Sequence, residues 1–171
     1  MCRWDIAAAH KLHIGIDAQT LQVRAICATP NNITDAAVLP QLLEDIPAEE
    51  LLLTVIGDGA YDTQSVHAAA IEHNATPSIP PRKKARMRKG DAFAHRNAAI
   101  ATCWRLGRKL WKSWSGYHRR SLVETKMHCI KRLGERVMSR TFDRQVNELH
   151  IRAAIVNRFT ELGRPQTEAV A

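Results

Sequence analysis

The chain has 171 residues, enough for one domain with a real core and too short for two comfortable ones. Its 45% hydrophobic content excludes a disordered chain, and its formal charge of +8 favours a polyanionic partner such as nucleic acid. No apolar run approaches the length of a membrane-spanning helix, and the first residues do not resemble a signal peptide. Cys2, Cys27, Cys103 and Cys129 lack the close pairing of a zinc site and read as reduced thiols.

Residues 1–10 match neither a strand nor a helix, and regular patterning begins at Lys11. Residues 12–17 and 21–28 read as two strands joined by a turn at Ala18, Gln19 and Thr20. A helix is expected from Thr34 and Asp35, whose side-chain oxygens can cap free amides, with Val38, Leu39, Leu42, Leu43 and Ile46 at helical spacing up to Pro47. The apolar run 51–56 predicts a strand buried on both faces. It ends in Gly57-Asp58-Gly59-Ala60-Tyr61-Asp62, after which 63–73 reads as a helix and 76–79 as a short strand closed by Pro80 and Pro81. Residues 82–89 hold six basic side chains in eight, a pattern that suits a solvated face and phosphate contact equally. The stretch from about 82 to 116 interleaves Trp104, Trp111 and Trp114 with Arg105, Arg108, Lys109 and Lys112. Two helices, over 121–138 and 142–162, finish the pattern before Gly163 and Pro165, and residues 163–171 read as a tail. Strands first, helices between and a helical end predict an α/β fold with a mixed sheet and flanking helices.

Two carboxylates stand out. Asp58 follows a strand, where open α/β sheets build their sites, although an Asp there is also a common turn or cap residue. Glu124 shares one helix face with Tyr117, Arg120 and Lys131, all within about 60° of arc at 100° per residue. Leu122, Val123, Met127, Ile130, Leu133 and Val137 fill the adjoining arc and would seat that helix on the sheet. Arg120 and Glu124 also suit a plain surface ion pair, and Tyr117 stands so close behind Gly116 that it can precede the regular helix.

The spacing Tyr117-x2-Arg120-x3-Glu124-x6-Lys131 resembles the signature of bacterial insertion-sequence DDE transposases, notably those related to insertion sequence five. Lys11-Leu12-His13-Ile14-Gly15-Ile16-Asp17, Gly57 to Asp62, Ile79-Pro80-Pro81-Arg82, Gly116-Tyr117-His118-Arg119-Arg120-Ser121 and Asn157-Arg158 resemble the same group, so the likeness runs from about Lys11 onward. It implies an RNase H-like domain over 11–162, carrying a basic, Trp-containing insertion at about 82–116. It also implies a two-ion Mg2+ or Mn2+ site in which Asp58 matches the second carboxylate and Glu124 the third, serving DNA cleavage and strand transfer. Arg120 and Lys131 would then hold phosphates, Tyr117 would position the DNA end, and Arg82, Lys83, Lys84 and Arg119 would add DNA contacts. For the three tryptophans core packing is favoured, with stacking on a displaced base as the alternative. The implied partners are double-stranded DNA at transposon ends and target, with a homo-oligomer or a full-length transposase as protein partner, no membrane, and a location at the bacterial nucleoid in the cytoplasm.

In the family the first aspartate lies on a strand upstream of the Lys11 block, central to the sheet. Asp17 corresponds to the end of the second strand, which binds no metal there, and Asp5 lies in no strand-like pattern. The expectation is therefore a fragment lacking that central strand and inactive by itself: a decayed element, a mis-set start or the second frame of a split transposase. A non-catalytic DNA-binding protein, or an inhibitor of full-length transposase, is the alternative.

Overall fold

A computed structural model describes residues 10–163. Of the irregular start expected over residues 1–10, His10 instead belongs to the first strand, where it pairs with Pro30; residues 1–9, with Cys2 and Asp5, and the tail after Gly163 lie outside the described residues. Strands β1 (His10–Ile16) and β2 (Val23–Pro30) form an antiparallel hairpin, running from His10 opposite Pro30 to Gly15 opposite Ala25. Asp17 shapes the turn, its carboxylate accepting from the Gln19 amide and the Thr20 hydroxyl, each at 2.7 Å. Leu21 takes a left-handed φ of 61°, so β2 begins at Val23 rather than at Leu21.

Helix α1 (Asp35–Glu44) starts at Thr34 as expected, but the Thr34 side chain makes no capping bond; first-turn Asp35 supplies the negative charge that a helix N-terminus favours. The run 51–56 is not a doubly buried strand. Only β3 (Thr54–Ile56) pairs, in parallel with β4 (Thr76–Ser78), while Leu51 and Leu53 are 79% and 65% exposed. The ladder is short because its middle residue on β4 is Pro77, which has no amide to donate. Helix α2 (Gln64–Glu72) links the two strands, capped by the Thr63 hydroxyl.

The 82–116 stretch, expected as a basic insertion with no assigned elements, forms a 3-10 turn (Asp91–Phe93), helix α3 (Ala94–Leu106) and helix α4 (Arg108–Trp114). A further 3-10 turn, Tyr117–Arg120, leads into α5 (Ser121–Arg132), and α6 (Phe142–Leu162) closes the fold. The α5 helix stops well short of residue 138. Gly134 adopts φ 140°, and the buried Arg152 guanidinium fixes the exit by donating to the Gly134 and Arg136 carbonyls at 2.6 and 2.7 Å. Of the apolar arc expected to seat α5, Met127 and Ile130 are fully buried, whereas Leu133 is exposed and Val137 packs on the core from beyond the helix.

Among the described residues the sheet is not one mixed sheet but two separate two-stranded ladders. Helix α1 packs against both: Val38 and Leu42 meet Ala25 of β2, and Leu43 meets Val55, Ala69 and Ala70. On the other face of the hairpin, Leu12 and Ile14 pack on Met127 and Ile130 of α5 and on Leu149 and Val156 of α6. Asn157 closes the hairpin's outer edge, accepting from the Val23 amide at 2.7 Å and donating to the Val23 carbonyl at 2.9 Å. Among the described residues no helix is long and apolar enough to cross a membrane.

Candidate functional site

β3 leads into a compact turn. Gly57 eases a close approach there: a Cβ on it would lie 3.2 Å from Cβ and Cγ of Tyr61, which folds back over it, 2% exposed, and would have to give by a few tenths of an ångström. Asp58 follows, half-buried, and its Oδ1 accepts from the Ala60 amide at 2.8 Å to cap the 3-10 turn Gly59–Tyr61. The cap role leaves Oδ2 without a hydrogen-bonding partner among the described residues, so capping and ion binding are compatible at this residue. Burial, with the Asp35 and Asp58 charges nearby, pushes the Tyr61 hydroxyl far above its ordinary pKa, so it stays protonated.

Asp62 closes the same turn and anchors a buried network that spacing did not reveal. Its side chain is 1% exposed. Oδ1 accepts from Arg96 Nε at 2.6 Å and His67 Nε2 at 3.2 Å; Oδ2 accepts from the Arg82 amide at 3.0 Å and a second Arg96 nitrogen at 3.3 Å. Burial opposes the charge, but these bonds outweigh it and hold the carboxyl well below the usual carboxylate range. The His67 ring meets Asp62 through Nε2, and its buried Nδ1 has no hydrogen-bond partner among the described residues.

The cationic loop 82–89 lies directly over this turn. The Arg82 guanidinium donates to the Gly59 and Ala60 carbonyls, each at 3.3 Å, so Arg82 grips the turn that Asp58 opens. Arg82, Lys83 and Lys84 are all exposed. Arg88 lies over the Phe93 ring at 5.4 Å.

The Tyr117–Arg120 turn lies against β3, and Ser78 Oγ donates to the Ser115 carbonyl at 3.0 Å, tying the end of β4 to the same corner. Tyr117 thus precedes α5 instead of sharing its face. Its ring faces Trp111 at 6.2 Å and takes the Lys112 ammonium at 4.9 Å. Arg120 pairs with Glu124 at 2.8 Å, four residues on, and Glu124 is 47% exposed in the first turn of α5. Lys131 is half-buried nearer the end of the helix, and Arg119 is exposed. The preference for core packing of the tryptophans holds for Trp111 alone, at 7% exposure; Trp104 and Trp114 are each 67% exposed, because α3 and α4 stand off the core on their basic faces.

At this corner the clamped basic loop meets the Asp58 turn and the Tyr117–Arg120 turn lies against β3, while Glu124 is tied to it only through its ion pair with Arg120. The corner does not join Asp58 to Glu124 by any hydrogen bond or ion pair. Among the described residues no group of three or more His, Cys, Asp and Glu side chains forms a cluster able to hold a metal. In kind, two carboxylates with accessible oxygens suit a hard divalent ion; in number they fall short of three.

The Asp58 turn was legible from its glycines and the Arg120–Glu124 ion pair from its i,i+4 spacing, but the single helix face expected for Tyr117, Arg120, Glu124 and Lys131 does not form, because Tyr117 and Arg120 lie in the turn before α5. The Asp62–Arg96 pairing was not legible, since 34 positions separate the two. Compared with known proteins, the chain matches the family model described as transposase DDE domain over residues 5–158. No solved structure matches it.

Proposed function

This chain belongs to the family of transposase DDE domains, and we propose that it works on double-stranded DNA at the ends and target of an insertion sequence. The observation that carries the reading is the family match, which spans Asp58, the cationic loop and Glu124 together. In this reading the two ladders are the two sides of an RNase H-like sheet. Asp58 and Glu124 are two of the carboxylates that hold Mg2+ or Mn2+; Arg120 and Lys131 hold phosphates; Tyr117 positions the DNA end. Arg82, Lys83, Lys84 and Arg119 contact the backbone on either side. A bound divalent pair supplies activation of the attacking oxygen and stabilisation of the leaving one. Exposed Trp104 and Trp114, close in sequence to Arg105, Lys109 and Lys112, offer faces on which bases stack.

A second reading is a DNA-binding protein without catalysis that restrains a full-length transposase; the exposed Arg82, Lys83 and Lys84 favour it, since they meet phosphates without an ion. One experiment separates the two. Labelled duplexes carrying the element's ends are titrated with the protein across a salt series, then incubated with Mg2+ and resolved for nicks. Salt-sensitive binding with nicking at the element's ends supports the catalytic reading, and binding without nicking supports the second. No binding at any salt would remove both.

A further inference from the structure

We propose that Asp62 is a positioning residue: its carboxylate holds the cationic loop 82–89 in register with the turn that carries Asp58. The inference rests on the DNA-binding reading for its consequence, and on geometry alone for the clamp.

The loop is fastened at three backbone points, two of them from the buried Asp62–Arg96 pair and one from Asn97 beside it. At its start, the Arg82 amide donates to Asp62. In its middle, Arg96, held by Asp62 through two of its nitrogens, donates from its third to the Arg86 carbonyl at 2.8 Å. At its end, neighbouring Asn97 accepts from the Arg88 amide at 3.0 Å and donates to the Arg88 carbonyl at 2.7 Å. Between these points the chain reverses in a tight turn closed by the Ala85 amide on the Arg82 carbonyl at 3.1 Å. Lys84 sits in that turn at φ 61°, a left-handed conformation that a side-chain-bearing residue adopts only where its surroundings impose it. The tip thus presents Lys83 and Lys84 to solvent from a fixed backbone.

A loop kept only for solubility needs no such centre. A buried Arg–carboxylate pair gains little net stability against its desolvation, and in some proteins it is retained because it fixes geometry. Here the geometry it fixes is the placement of two lysines relative to Asp58. Arg82 completes the link, since its backbone is bound by Asp62 and its side chain by the carbonyls of Gly59 and Ala60.

The test is a double-mutant cycle in DNA binding, with hydrogen exchange as an independent arm. Duplex binding is measured by fluorescence anisotropy across a salt series for wild type, Asp62→Asn, the Lys83→Ala/Lys84→Ala pair, and all three changes together. The lysine pair should lower the slope of log affinity against log salt by about one to two. Asp62→Asn should weaken binding and lower that slope in the wild-type background, and change affinity less than about twofold once the lysines are gone. An equal loss in both backgrounds, or no loss in either, would overturn the proposal. Asn97→Ala disturbs no buried charge, so it carries the test if Asp62→Asn does not fold; it should shift binding the same way, less far. Without DNA, the amides of Arg82, Ala85 and Arg88 should exchange faster in Asp62→Asn, and that of Arg88 in Asn97→Ala, while β1 and β2 stay protected. Unchanged exchange at these amides overturns the clamp. Wild type that binds no duplex refutes the DNA reading instead, and exchange still decides the clamp.

Discussion

Replacing Glu124 by glutamine separates a residue held for function from one held for folding. Its side chain is half exposed, its partner is Arg120 at 2.8 Å, and it lies in the first turn of α5. An exposed i,i+4 pair contributes about 0.3–0.5 kcal/mol. A carboxylate near a helix N-terminus adds about 0.3–1 kcal/mol. Glu124→Gln should therefore cost about 1 kcal/mol and lower the melting temperature by roughly 2–4 °C for a domain of this size. Met127→Ala is the comparator: its side chain is fully buried against Leu12 and Ile14, so the cavity should cost about 2–5 kcal/mol, several times the Glu124 effect. Circular dichroism melts give both numbers. The substitution also releases Arg120 from its ion pair and removes a negative charge from the proposed DNA surface. Duplex binding should accordingly stay level or tighten a few-fold, while any Mg2+-dependent nicking is lost. A Glu124→Gln protein that melts as early as Met127→Ala, or that binds DNA more weakly, would refute the assignment.

Three further outcomes follow from the same geometry. His13 is buried with Nε2 on Thr29 Oγ1 at 2.7 Å; burial lowers its pKa against a smaller opposing effect of Asp35. The unfolded chain then takes up more protons below about pH 6.5, so stability should fall as pH drops through that range, and His13→Gln should flatten urea midpoints measured between pH 7.5 and 5.5. Asp62 has a strongly depressed folded pKa, so its contribution is fully present above about pH 4 and is lost as pH falls further; Asp62→Asn should remove that acid-limb slope. Asn157→Ala strips both partners from the Val23 backbone and should cost about 1–3 kcal/mol, read as a lower melting temperature, and an unchanged melt would contradict the edge-closing role.

The sequence showed most where periodicity is strong and local. The 142–162 helix matched its observed bounds because its apolar stripe, Leu149, Ala153 and Val156, meets the hairpin along one face. The β1–β2 hairpin, α1 and α2 were legible for the same reason. Helices α3 and α4 were not, because their contact with the core is narrow: Ala99, Ile100 and the charged Arg96 on α3, Trp111 on α4, with exposed tryptophans and cations elsewhere. The early end of α5 depends on Arg152, eighteen residues beyond the Gly134 it holds, and no local pattern reports such a bond. Leu51 and Leu53 misled because an apolar run predicts burial only where a neighbouring strand covers it. At the site, the Asp58 turn and the Arg120–Glu124 pair followed from local spacing, whereas the break that puts Tyr117 and Arg120 before α5 did not, and the Asp62 centre needed the fold to bring α2, α3 and the cationic loop together.

The most direct test of the central claim, that Asp58 and Glu124 serve one divalent-ion site, is paramagnetic mapping with Mn2+. Substoichiometric Mn2+ is added to isotope-labelled protein and line broadening is followed residue by residue, for wild type and Asp58→Asn. The account predicts broadening centred on Gly57 to Ala60 and on the first turn of α5 together, with both lost in Asp58→Asn. Broadening at only one of the two, or broadening centred on other carboxylates and unmoved by Asp58→Asn, would contradict it.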